Sequence, residues 1–423
     1  MARDWRAKTK LFYGWWLVGA LFCILFNTGG AGFYVFPVFI QSLIGEFGWT
    51  VTQISVAAAL WALVYGFSGP FIGVLIARVG VTQTMLVAAV VASLAQVGFA
   101  SMQALWMLYA GMFALGFAVA GTTLVPSQTV ITNWFTQYRG RAMSWMMLGI
   151  GAGGLLLPPL NEWLIRQIGW RRTWLVACAV MWVVVIPLIA VFVRTKPADL
   201  GLLPDGEVLQ GGSPVRRSGL PVKQALASRS FWLIFSVYVF QLVGLSAMNF
   251  HFVPFAIQQA KLSSQQAAFF LGMTMGFSMA GRLVFGWLAD RSNPALLMAI
   301  AGAFLACGPL ILAVFVIRLG LAHPSVLWPY AVLFGFGIAG SAVMLPVLVG
   351  RCFGELHFSK LQGFVMSGFA VGIVLGIPGA GKIFDSTGSY EVAFLLCIAA
   401  FALSSVLAMA VQPSLHQAKF VTE

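Results

Sequence analysis

Charge is absent from this chain for twenty residues or more at a time, again and again. Runs without Asp, Glu, Lys or Arg cover 11–45, 47–77, 79–138, 142–161, 173–193, 230–260, 262–281, 292–317, 319–350, 361–381 and 392–418. A helix needs about 20 apolar residues to cross hydrocarbon, and 79–138 is long enough for two. Twelve helices are predicted, near 12–39, 50–77, 82–101, 105–133, 139–164, 172–194, 230–258, 264–289, 294–318, 326–350, 360–384 and 390–412. Helices are the natural element because a spanning segment must satisfy its backbone internally. A β-barrel would alternate apolar and polar residues over strands of about ten residues, and these runs do not. The sequence therefore reads as an all-α integral membrane protein with the lipid bilayer as its first partner.

Only 8% of the residues are charged, against about 25% in a soluble domain. The net charge of +13 is read as membrane topology and not as nucleic-acid binding. With both termini placed inside, 17 of the 24 Lys and Arg residues fall in cytoplasmic segments. Six fall in outer loops (Arg166, Arg171, Arg172, Lys261, Arg318 and Lys382), and Arg282 is the last. Positive residues favour the cytoplasmic side, so both ends are expected there, and the pair Arg171–Arg172 is the local offence against the rule. Cys23, Cys178, Cys307, Cys352 and Cys397 lie one to a helix, with no metal or disulfide spacing. No cleavable signal peptide is expected: the first apolar run lacks an A-x-A end and is long enough to span. No cofactor or metal is implied, and no nucleophile–base pair suggests an enzyme.

Residues 195–229 form the one long polar stretch, rich in Gly, Pro and charge. It reads as a cytoplasmic linker between a bundle over 1–194 and a bundle over 230–423. The two halves repeat. At an offset of 217, GFYVFPVFIQ (32–41) lies over NFHFVPFAIQ (249–258). At 213, SGPFIGVLIAR (68–78) lies over GRLVFGWLADR (281–291). At 223, Gly140, Met143, Ser144, Gly149 and Gly153 match Gly363, Met366, Ser367, Gly372 and Gly376. Repeated halves in a membrane protein imply a carrier with its site near the midplane. The halves also differ: Tyr34, Gly69 and Ala77 become His251, Arg282 and Asp290. The second half carries the charge chemistry.

Several of these stretches resemble a known family. Gly286-Trp-Leu-Ala-Asp290-Arg291 is similar to the loop motif that follows the second helix of each half in major facilitator carriers, and Gly73 to Gly80, with Arg78, is its first-half copy. Trp134-Phe135 through Arg139-Gly-Arg141, running on to Gly149-Ile-Gly151-Ala-Gly153, resembles the fifth-helix signature of monocarboxylate transporters. Tyr13-Gly14-Trp15-Trp16 is similar to that group and to oxalate/formate carriers. The resemblance implies the major facilitator fold: twelve transmembrane helices in two pseudo-symmetric six-helix bundles. It also implies an anion-binding arginine on the eighth helix, matched by Arg282, and in bacterial members a seventh-helix histidine, matched by His251. Oxalate carriers place a second cation inside helix eleven, but Phe364–Gly381 carries none. That departure disfavours a small dianion.

Arg282 follows twenty uncharged residues in a segment that stays apolar to Ala289. A cation at the centre of a membrane helix costs roughly 2.5–3.5 kcal/mol on insertion scales, so something must offset it. A guanidinium binds both oxygens of a carboxylate and stays charged at any working pH. Ser278 lies one turn away on the same face. His251 titrates near neutrality. Helical side chains lean toward their own N-terminus, so His251 and Arg282 are expected to reach for the midplane from opposite sides. None of the 11 acids is placed deep in the membrane, so a coupled proton must ride on His251 or on the substrate. Tyr34, Asn27 and Asn249 are further candidates for the substrate cavity. Asp290, Arg291 and Arg78 are read as a cytoplasmic gate, with Asp290 meeting the start of helix eleven near Lys360.

The expected function is secondary active transport of a small organic monoanion, a monocarboxylate, in symport with a proton, by alternating access around Arg282 and His251. The expected setting is a bacterial inner membrane, with the chain working as a monomer. An exchanger without proton coupling uses the same site. A transport-inactive sensor would signal through the linker, which holds no recognisable domain.

Overall fold

The computed structural model describes residues 12–204, 219–321 and 323–411. Among these the chain is almost wholly helical, and its extended pairing is limited to the isolated bridge between Gly219 and Gly354. Twelve spans follow in order. They are α1 (13–47), α2 (Val51–Val79), α3 (Val81–Ala100), α4 (Leu105–Trp134), α5 (Arg139–Ile168) and α6 (Trp170–Phe192). Then come α7 (Arg229–Gln258), α8 (Ser264–Ala289), α9 (Pro294–Arg318), α10 (Pro324–Phe353), α11 (Phe358–Thr387) and α12 (Glu391–Met409). Eleven of them, α2 to α12, are long and apolar enough to cross a membrane. Their ends match the predicted helices to within four residues. The exception is α1, which runs on to Phe47 and is interrupted by a π-helical turn at Phe26–Gly30.

The chain divides into two compact units, Met1–Arg216 with α1–α6 and Arg217–Glu423 with α7–α12. Below, the base of a unit is the end where its first span starts, and the top is the other end. The division falls inside 195–229, whose centre, 205–218, lies outside the described residues. Both flanks of that stretch are built into the bundles. Thr195 accepts from the Val81 amide at 3.0 Å, and its carbonyl accepts from Asn133 Nδ2 at 2.8 Å. On the other flank the Leu220 amide donates to Phe353 O at 3.0 Å, and Trp232 Nε1 holds Leu226 O at 2.9 Å. Both described flanks are therefore tied to the ends of helices in their own units.

The sequence repeat has a physical counterpart in each unit. Thr50 and Gln53 form a reciprocal capping box at the start of α2, with bonds of 3.2 and 3.0 Å. Ser263 and Gln266, at the offset of 213, do the same for α8 at 3.2 and 3.1 Å. Each box satisfies two of the amides that a helix N-terminus leaves open. At the offset of 223, Gly149 and Gly153 of α5 lie directly against the α1 backbone at the Phe22 and Phe26 carbonyls, where no Cβ would fit. Gly372 and Gly376 of α11 meet α7 at Leu242 and at the Val243 carbonyl. Without a hydrophobic force between helices in lipid, close packing over small residues is what joins them. The π turn in α1 has no partner in α7, so the symmetry breaks there.

One break was not foreseen. The fourth span divides at Thr123 (φ −107°, ψ −113°) into Leu105–Thr122 and Leu124–Trp134. Pro126 is the cause: it cannot donate to the Thr122 carbonyl, and its ring crowds the turn before it. Tyr65 on α2 braces the break, its hydroxyl 3.4 Å from Thr123 Oγ1.

Candidate functional site

The eighth span sets the position of Arg282. Gly335 of α10 lies against α8, where an added Cβ would stand 2.6 Å from Thr274 O and 3.1 Å from Ser278 N. Gly281 faces Ala339 of α10, and Gly340 faces Phe285. The two helices therefore run parallel in close register. Ser278 is 1% exposed and sits in this seam, its Oγ without a hydrogen-bond partner among the described residues. Arg282, one turn lower and rotated about 40° from Ser278, is half-buried.

Height along the bundle follows from two registers. Across the α7–α8 hairpin, Arg282 is as far below Ser264 as residue 240 is below Gln258. Across α10, Gly281 lies opposite Ala339 and Phe336, while Ser341 Oγ donates a short hydrogen bond to Gln241 Oε1 of α7. Both registers put Arg282 level with residues 240–243 of α7. His251 is then higher by about 12–16 Å at 1.5 Å per residue. Arg282 and His251 therefore stand at different heights in this unit. Each side chain leans toward the other across that axial gap.

His251 has other company. It is 8% exposed. Its Nε2 lies 3.0 Å from the carbonyl of Ile377 on α11, and its Nδ1 lies 3.2 Å from the hydroxyl of Tyr390 at the start of α12. The ring joins three helices. Asn249 lies two residues before it, and so on nearly the opposite side of α7. Asn249 Oδ1 is buried without a hydrogen-bond partner among the described residues.

At the height of Arg282 the polar groups are Gln241 and Ser341. Both are buried, and Gln241 Nε2 finds no acceptor among the described residues. Sequence reasoning passed over Gln241 and Tyr390. Gln241 was legible as an amide within an uncharged run. Tyr390 was not, because it sits in a loop and gains its role only from the fold.

In the first unit, Asn27 lies in the π turn of α1 and donates from Nδ2 to Cys23 O at 3.0 Å. The ring of Tyr34 is exposed and lies against Gly154 of α5, where a Cβ would stand 2.6 Å from it. The gate candidates lie at the bases. Arg78 is exposed in the last turn of α2. Arg291 stacks on Trp287, its guanidinium carbon 4.0 Å from the ring centroid. Asp290 lines a cavity of about 290 Å³ with Arg291, Asn293, Arg351 and Cys352. Arg351 of α10 lines the same cavity and holds Ala289 O at 2.8 Å. The close α8–α10 packing brings it there. No cluster of three or more His, Cys, Asp or Glu able to hold a metal occurs among the described residues.

A duplicated six-span bundle, with matching caps and matching glycine seams, defines a polytopic membrane protein built from two like halves. Residues 20–349 match the Major Facilitator Superfamily, and the chain belongs to it. Monocarboxylate transporter 12 of rat is 26% identical over 340 residues, covering 73% of this chain. Human monocarboxylate transporter 12 is 26% identical over 336 residues, again 73% of this chain. The chain spans 66% and 62% of the length of those two relatives, under two thirds of each. Human monocarboxylate transporter 11 is 27% identical over 80% of this chain and 70% of its own. Among solved structures, FucP in the outward conformation gives a TM-score of 0.71 at 14% identity, covering 93% of this chain and 98% of that one. The proton:xylose symporter XylE gives 0.73 at 14% identity, covering 95% and 96%. These likenesses establish the fold. The curated relatives named here are vertebrate proteins, so a bacterial inner membrane gains no support from them.

Proposed function

We propose that the chain carries small organic monoanions, monocarboxylates, across a membrane in symport with a proton, and that Arg282 anchors the carboxylate. The observation that carries this reading is Arg282 itself. It is a half-buried cation on an otherwise uncharged face, at the height of the buried amide of Gln241. A carboxylate on its planar fork offsets the burial with two parallel charge-assisted bonds. The similarity to monocarboxylate transporters 11 and 12 supports the same substrate class. Tyr34, Asn27 and Asn249 are proposed as further substrate contacts. Ser278 is assigned to the helix seam and not to the substrate. Arg78, Asp290 and Arg291 are proposed to act at the bases of the units, which face the cytoplasm. A monoanion moving with one proton carries no net charge, so a gradient of one pH unit supports about tenfold accumulation.

Exchange without a proton is the second reading. It is favoured by one observation: both nitrogens of His251 already have protein partners. Purified protein in vesicles, given labelled lactate or benzoate, separates the two. Symport gives uptake above equilibrium when the outside is acid. Exchange gives uptake only when unlabelled acid is trapped inside. No saturable uptake in either arm overturns the assignment.

A further inference from the structure

The bonds around His251 fix which nitrogen can take a proton. A backbone carbonyl only accepts, so the 3.0 Å approach of Nε2 to Ile377 O requires the proton on Nε2. Nδ1 is then the bare nitrogen, and the Tyr390 hydroxyl 3.2 Å away must be donating to it. Tyr390 is itself held firmly. Its ring stacks on Phe384 at 4.3 Å and on Phe394 at 5.9 Å, and its backbone amide donates to Gln259 Oε1 at 3.4 Å. Burial, with a smaller push from the Asp385 carboxylate, raises its phenol above the ordinary range. It therefore stays an O–H group throughout the working range.

We propose that Tyr390 is the positioning residue for the proton: its hydroxyl presents Nδ1 of His251 as the accepting atom, and proton uptake there is felt at the joint of α7, α11 and α12, away from the substrate anchor. The step balances simply. The Nδ1 lone pair takes the proton and the ring becomes imidazolium. The Tyr390 O–H, which had donated, turns away, and its oxygen accepts from Nδ1–H. The Nε2 bond to Ile377 is kept. One of the two ties of the joint thus changes sense while the other holds, which biases how α12 sits on α7. Gly381 lies beside the ring: a Cβ there would be 3.5 Å from Cε1.

The other charged groups at this end are Lys382 and Asp385 of α11, Lys261 in the α7–α8 loop, and Glu391 of α12, which Arg318 of α9 binds at 2.7 Å. His323 caps α10 and is engaged with Ser325. The two groups hydrogen-bonded to the ring are neutral, so the proton on Nδ1 is stabilised by the Tyr390 oxygen and not by a carboxylate. This inference rests on the proton symport proposed above.

The test is a ¹⁵N NMR titration of the four histidines in the purified protein, with H251Q identifying the His251 signals. At alkaline pH, Nε2 should carry the proton and Nδ1 should be bare. Charge-assisted bonds are roughly twice as strong as neutral ones, so Tyr390→Phe, which keeps the ring stack, costs the charged form more. Its titration midpoint should fall by about one pH unit, tenfold in proton affinity. A proton on Nδ1 at alkaline pH overturns the proposal in the wild-type protein alone, whether or not the variant folds. So does an unchanged midpoint in a folded Tyr390→Phe. The transport arm uses lactate in vesicles. If H251Q still accumulates lactate tenfold per pH unit, proton symport through His251 is what fails. If H251Q abolishes accumulation while Tyr390→Phe matches the wild type at every pH, the symport reading stands and the role of Tyr390 falls.

Discussion

Arg282 is placed by what surrounds it and not by its own chemistry alone. The glycine seam between α8 and α10 fixes the helix, Ser278 turns into that seam, and Arg282 is left about 40° round from it. In the proposed carrier a carboxylate meets a fork borne on a helix whose position is already set. Arg282→Lys keeps the charge but loses one of two parallel bonds. A hydrogen bond to a charged group is worth about 1.5–3 kcal/mol, so the affinity for lactate should fall about 10- to 150-fold. Arg282→Ala should remove saturable binding while the purified protein melts as a folded membrane protein. Both are read by calorimetric titration, and wild-type affinity in Arg282→Ala would refute the anchor. The arginine was legible in the sequence because hydrocarbon tolerates no idle cation. The separation of His251 from it was not. Lean along a helix is a local property, but height in the bundle depends on how α7, α8 and α10 are staggered, and no single segment encodes that.

The spans themselves were legible almost completely, since each is built on a run without charge long enough to cross a membrane. Their irregularities were not. The π turn of α1 arises where the Phe26 carbonyl and Gly30 pack onto Gly153 of α5, a contact between residues more than a hundred positions apart. The break in α4 had a local signal, Pro126, but within an apolar run a proline only signals a kink. The glycine seams make a sharp test of which small residues matter. A Cβ at Gly153 would run into α1 backbone, with Gly30 Cα 2.9 Å away. Overpacking a tight interior costs typically 1–3 kcal/mol, so Gly153→Ala should lower the melting temperature by several degrees. Gly98 of α3 has nothing within 4 Å of its added Cβ. Gly98→Ala should be neutral or slightly stabilising, because alanine is the better helix former by up to about 1 kcal/mol. Equal melting of the two variants in lipid nanodiscs would show that the seam is not under tension.

At the scale of the whole molecule, the charge pattern gains its meaning from pairing. The six cations at the tops of the units are the ones that weaken a positive-inside reading of the sequence. Three of them are bound to carboxylates: Arg166 to Glu162 at 2.8 Å, Arg171 to Glu46 at 2.7 Å and Arg318 to Glu391 at 2.7 Å. Arg171 also holds the Ala100 and Met102 carbonyls, and Trp170 Nε1 donates to Glu46 at 2.7 Å. The cation that most offended the rule is therefore a clamp drawing together the tops of α1, α3 and α6. Such surface pairs are individually weak; Arg166–Glu162 lies within α5, whereas the other two join the ends of different helices. The bases hold the basic residues that set orientation, and the proposed arrangement puts them in the cytoplasm. Cysteine labelling in intact cells tests this directly. Gln103, exposed in the α3–α4 loop at the top, and Gln137, exposed in the α4–α5 loop at the base, are each replaced by cysteine. A membrane-impermeant maleimide should label Gln103→Cys at once and Gln137→Cys only after permeabilisation. The reverse pattern would invert the molecule, and with it the side from which Tyr390 and His251 meet the proton.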